Sequence, residues 1–304
     1  MFRSLLRKSY FIYSLLYVVV PSYAVFYILG KPVIGTDDSN IYLQYTKNFT
    51  SGYGIVYNPG GEHVEGFSST LYFLICSFFN FFTNTPEVCI LLFNLVIALL
   101  SCMLVLHTIR TISEKLNVSP LNVHLIYFVY LFWIFMNPAF FCWTIITLMD
   151  SGIYTFLLVL GFAYFIQLTL SEEIGKKQHR NISILVFIMV LARPEGIIWG
   201  AVYLFMYFIL IYRREQNVIA SSKQILRPLI CFLATIAILT LYRLWYFGYP
   251  LPNTYYTKVS ASLTATLTDG LGYFTGFVKT YFTLVLFFVF GLCEIGRASC
   301  RERV

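Results

Sequence analysis

Apolar residues fall in long unbroken runs, and polar residues gather in the short stretches between them. The runs lie at about 10–29, 67–83, 87–109, 121–136, 151–171, 182–211, 228–246 and 271–293. Most are near the roughly 20 residues an α-helix needs to cross a hydrocarbon core about 30 Å thick. No run shows the strict alternation of a half-buried strand. The pattern predicts an all-α, polytopic transmembrane helical bundle with about eight spans.

Basic positions orient the spans, because Lys and Arg collect in cytoplasmic loops. Four clusters are assigned to that side: Arg3/Arg7/Lys8, Arg110/Lys115, Lys176/Lys177/Arg180 and Arg213/Arg214/Lys223/Arg227. The first span then runs outward and 30–66 is an outer loop. If 67–83 and 87–109 both crossed, every later cluster would be inverted. The first is shorter and opens with Ser68 and Ser69, so it is expected to lie along the outer face. Within 182–211, Arg193-Pro194-Glu195-Gly196 forces a turn. Proline cannot continue the helical ladder, and charge is costly in lipid. The segment should therefore go out and back as two short spans. The last two spans, 228–246 and 271–293, flank an outer loop at 247–270. The expected location is the cytoplasmic membrane, with the N-terminus inside. The continuous run to about Leu29 carries no small-residue cleavage site, so it reads as a retained span.

Composition agrees with this picture. Hydrophobic residues make up 59% of the 304 residues and charged residues 12%, against about 25% charged in an ordinary soluble domain. The net charge of +7 sits in inter-span loops, so it reads as membrane orientation, and no nucleic-acid partner is expected. Seven cysteines are scattered singly and read as small buried hydrophobes. The segment 294–304, EIGRASCRERV, matches translated sequencing-adapter sequence. Residues 1–293 are read as one transmembrane module, with native sequence stopping near Cys293 and the protein continuing beyond it.

The topology brings the unusual polar residues to the outer face. Asp37 and Asp38 follow the first span, and Ile41, Tyr45 and Phe49 recur after them at helical spacing. One carboxylate can cap an interfacial helix. Two adjacent ones exceed that need, and one could take a proton from an incoming hydroxyl. Glu65 reads as a binding residue or a solubilising loop residue. Arg193 and Glu195 can pair with each other. Lys258 can bind a phosphate or snorkel to the interface. No metal-ligand spacing is present, although the outer carboxylates leave room for a divalent metal.

Three stretches appear in order: Asp37-Asp38 with YLQYTKNF, GYGIVYNP and Val64-Glu65-Gly66; then ARPEG at 192–196; then YFGYPLPNTYYTK at 246–258. Together they resemble the GT-C superfamily of multi-span glycosyltransferases, and are similar to its bacterial arabinofuranosyltransferase-like and mannosyltransferase-like branches. The resemblance covers about residues 10–290. It implies transfer of a sugar, with inversion, from a polyprenyl-phosphate carrier to a glycan, lipid or protein acceptor of the cell envelope. It also implies that Asp37 or Asp38 is the base and that Arg193 and Lys258 hold the carrier phosphate. Glu65, Asp150, Glu195, Asn253 and Tyr256 would line the sugar or acceptor pocket. The chain departs from the family at Gln44, where an Arg is usual, and at Leu148-Met149-Asp150, where a Gly-Met-Glu-like triplet is usual. The competing readings are a transporter or flippase of lipid-linked sugars, which should carry polar residues at the midplane, and a non-catalytic membrane subunit.

Overall fold

The computed structural model describes residues 12–16, 18–19, 35, 37–135, 137–171, 174–258 and 262–282. The described residues are predominantly helical and contain no strand. They divide into one unit ending at Asn253 and a second starting at Thr254.

The first unit opens with α1, Asp37–Thr50, and α2, Thr70–Asn80, which pack against each other. Ser69 caps α2 by accepting the Tyr72 N–H at 3.0 Å. Eleven residues of helix span only about 16 Å. That is too short to cross, as the basic pattern requires. The long apolar helices follow: α3, Glu87–Lys115; α4, Pro120–Phe135; α5, Ser151–Leu170; α6, Lys176–Ala192; α7, Gly196–Glu215; and α8, Val218–Phe247. Between α4 and α5 the chain makes a short turn of helix at Pro138–Phe141 and a π-helical segment at Cys142–Ile146.

Four of these, α3, α5, α7 and α8, are long and apolar enough to cross a membrane. Their outward side chains, such as Leu92, Val96, Val202, Phe205, Ile238 and Leu241, stay uncovered. Exposed apolar surface of that extent marks a lipid-facing protein. The chain is an all-α helical membrane protein.

These four are the long crossings among the described residues; the expected eight also include shorter helices and stretches outside them. The helix expected at 121–136 is 16 residues long, about 24 Å, and Pro138 follows it. Residues 182–211 do fold out and back around Arg193-Pro194, but α6 has 17 residues and a polar, basic first turn. Of the expected span at 10–29 only residues 12–16 and 18–19 are described, and of the expected span at 271–293 only 271–282; the tail at 294–304 lies outside the described residues. The stretch 247–270, read as a polar loop, is largely helical, with α9 at Asn253–Lys258 and α10 beginning at Leu263.

Two close approaches fix the packing. A Cβ at Gly161 of α5 would collide with the ring of Tyr203 on α7, a fully buried residue. A Cβ at Gly196 would collide with the Met189 carbonyl, so only glycine lets α7 leave the turn this close to α6. At the opposite end, Arg214 Nη2 donates to the Leu168 and Ser171 carbonyls at 2.7 Å each. A guanidinium there satisfies the open C-terminal carbonyls of α5 and complements its dipole.

Candidate functional site

The polar residues at one end of the bundle form two linked groups. Asp150 immediately precedes α5, where its carboxylate makes no capping hydrogen bond. Instead it accepts from Arg193 Nη1 at 3.0 Å. Arg193 lies between α6 and α7, and its Nε donates to Glu195 at 3.2 Å. The expected Arg193–Glu195 pair therefore exists, with Asp150 as a second carboxylate. The Arg193 guanidinium also sits 5.6 Å from the centre of the Tyr154 ring, within cation–π range. Exposure grades outward through the trio: the side chain of Asp150 is 1% exposed, Arg193 28% and Glu195 56%. Asp150 is the floor of this group and Glu195 its rim.

Local backbone explains how Asp150 reaches this position. Leu148 adopts a left-handed conformation, φ 51°, with its side chain buried. A bulky non-glycine residue there is strained by about 1–3 kcal/mol. The buried Leu148 side chain and the Arg193 bond hold the turn in place against that strain.

Helix α1 reaches the same group. The buried Tyr42 hydroxyl accepts the Ser69 N–H at 3.0 Å, leaving its own proton for Asp150 Oδ2 at 3.4 Å. Just before α1, the Gly35 N–H donates to the Ile146 carbonyl at 3.0 Å. The chain entering α1 is thus tied to the turn that carries Asp150. Asp37 and Asp38 open α1, and Asp38 is exposed. The side chain of Asp37 lies outside the described residues.

The second group is a buried salt bridge. Glu65 accepts from Arg243 Nε at 2.7 Å and from Nη2 at 3.0 Å, with the side chains 4% and 7% exposed. Glu65 is thus neither a loop solubiliser nor an open ligand; it anchors the loop after α1 to the end of α8. The Asn253 N–H donates to the Glu65 carbonyl at 2.9 Å, while its side chain is exposed. The Tyr246 hydroxyl receives the Ile55 N–H at 2.8 Å. The Tyr45 hydroxyl bridges the Val64 carbonyl at 2.5 Å and the Gly66 N–H at 3.1 Å. Gln44 and Asn48 hold the Tyr57 carbonyl at 3.1 and 2.7 Å. Arg243 was not singled out in the sequence. Its only signal was a charge near the end of an apolar run, and its partner is 178 residues away.

Electrostatics separate the groups. Burial pushes the Asp150 carboxyl above its usual range; Arg193 opposes this and Glu195 adds to it. Burial raises Glu65 likewise, against the Arg243 hydrogen bonds. Burial works to lower Arg193, but Asp150 and Glu195 outweigh it and hold the cation above its usual value. Tyr42 is raised by burial and then by Asp150, which keeps its hydroxyl protonated as a donor.

All described members of both groups lie at one end of the bundle. Exposed Tyr53, Tyr57, Trp245 and Tyr249 surround that end, as expected of an aromatic belt at a membrane interface. The basic clusters around Lys176, Arg213 and Lys223 lie at the other end. Tyr256 and Lys258 belong to the second unit; Tyr256 is exposed, and the Lys258 side chain is outside the described residues. No group of three or more His, Cys, Asp or Glu able to hold a metal occurs among the described residues. The fold and this polar end define an all-α membrane protein with a charged site at one end of its bundle. Comparison with protein-family models, curated proteins and solved structures gives no significant match.

Proposed function

We propose that the chain is a membrane glycosyltransferase. In this reading it moves a sugar from a polyprenyl-phosphate carrier to a glycan, lipid or protein acceptor at the outer face of the cytoplasmic membrane. The observation that carries the reading is a partly exposed Arg193, gripped by Asp150 and Glu195, beside the helix that Asp37 and Asp38 open. A cation so held is preorganised to offset charge on a leaving phosphate without reorganising at the moment of reaction. The short helices α4 and α6 count as crossings in this reading, giving about eight spans with those outside the described residues.

The proposed step follows from these roles. The acceptor hydroxyl gives its proton to the carboxylate of Asp37 or Asp38. Its oxygen bonds to the anomeric carbon from the face opposite the carrier. The bond between that carbon and the phosphate oxygen breaks, inverting the centre, and the lipid phosphate leaves with the electron pair. Arg193 faces that phosphate. Asp150 and Glu195 orient Arg193, while Glu65 fixes the loop that closes the site. Asn253 contributes polar contacts to sugar or acceptor. The apolar walls suit a carrier whose tail stays in lipid.

The test is release of polyprenyl phosphate by the purified full protein, offered a panel of polyprenyl-phosphate sugars. Loss of about 10²–10⁴-fold in Asp37→Asn or Asp38→Asn, with insertion unchanged, supports the reading. Turnover unaffected by both removes the base assignment. No turnover with any donor and envelope acceptor returns the chain to the transporter or scaffold readings.

A further inference from the structure

A cleft of about 600 Å³ opens between α5 and α6, at the end of the bundle away from Asp150. Its polar lining comes from Gln167, Lys177, Gln178 and Asn181, and its apolar lining from Leu160, Ile184 and Ile188. The polar members gather at one end, with Leu168 the one aliphatic residue among them. Gln167 is near the end of α5 and Lys177, Gln178 and Asn181 are in the first turns of α6, while the apolar members lie toward the middle of both helices.

We propose that this cleft binds one anionic phospholipid, distinct from any substrate of the Asp150–Arg193 site. The polar mouth supplies what a phosphodiester requires: the Lys177 ammonium, two side-chain amides, and the positive end of the α6 dipole. Lys176 and Arg180 flank Lys177 on the same helix start, and Arg227 bears electrostatically on the neighbouring His179. The mouth is therefore set in the basic end of the protein, where anionic lipid is attracted. Tyr164 also lines the cleft, and its hydroxyl is engaged by the Asn181 amide. From Lys177 to Ile188 the helix rises about 16 Å, roughly half the hydrocarbon thickness. A headgroup at the mouth thus leaves room for one acyl chain along Ile184 and Ile188. A soluble anion would use only the mouth.

The test is native mass spectrometry of the full protein released from nanodiscs of equal phosphatidylglycerol and phosphatidylcholine. Retention of one phosphatidylglycerol in clear preference to phosphatidylcholine is expected. Lys177→Ala should lower that preference by about fivefold, the share of one cation beside anionic lipid. Ile188→Trp should abolish retention by filling the apolar half; should the tryptophan prevent folding, Asn181→Leu, of similar shape but without the amide, should lower the preference for phosphatidylglycerol. Equal retention of the two lipids, or no retention by the wild-type protein, overturns the proposal. So does retention unchanged in every folded variant, or complete displacement by excess inorganic phosphate.

Discussion

Replacing Glu65 with glutamine should release the loop that carries it. The Glu65–Arg243 pair is closed by two hydrogen bonds of 2.7 and 3.0 Å and almost fully withdrawn from solvent. Removing one partner of a buried pair costs about 3–5 kcal/mol, because the other charge is left uncompensated. Glutamine keeps one acceptor oxygen but turns an amide N–H toward the guanidinium, so the lower figure of about 3 kcal/mol applies. At about 1.4 kcal/mol per factor of ten, that raises the local opening equilibrium by about two orders of magnitude. The assay is hydrogen exchange of the Ile55 and Gly66 amides, which donate to Tyr246 and Tyr45 and are protected only while the loop is anchored. Exchange about a hundredfold faster is the expected result, with amides in the middle of α5 unchanged. The double variant Glu65→Met with Arg243→Met should recover most of the protection, since it buries no charge. Exchange within threefold of wild type in Glu65→Gln, or a double variant as open as the sum of both singles, would refute the reasoning.

Two further outcomes follow from the geometry. Gly161→Ala should cost about 1–3 kcal/mol by overpacking and shorten the thermal half-life in detergent, and Tyr203→Leu in the same chain should restore part of it. Tyr42→Phe leaves the buried Ser69 N–H without its acceptor and Asp150 without its hydroxyl donor, costing about 1–3 kcal/mol. In the proposed enzyme this variant should lower kcat more than it raises KM, because it loosens the floor under Arg193.

The sequence by itself determined the helical class and the separation of polar chemistry from basic loops. Helix runs, the break at Pro194 and the charge between spans are local or compositional signals. The prediction that 67–83 does not cross rests on charge parity together with its shorter length and opening serines, and the 11-residue α2 agrees with it. The pairing of Arg193 with Glu195 was legible because the two are only two positions apart in sequence. The number of long spans was less legible, since hydropathy marks apolar stretches but does not say where a π-helical segment or a polar first turn ends a helix.

Only the tertiary structure decided which polar residues meet. Asp150 and Arg193 are 43 positions apart, Tyr42 and Asp150 are 108, and Glu65 and Arg243 are 178. No periodicity connects such residues. Their contacts depend on antiparallel helices returning to one end of the bundle and on the close approach that Gly161 and Gly196 allow. The structure also separated two acidic residues that look equivalent in the chain: Glu65 has both carboxylate oxygens bonded to a buried arginine, whereas Glu195 stays at an open rim. The difference is one of desolvation, which a residue acquires from its neighbours in space and does not carry in its own identity.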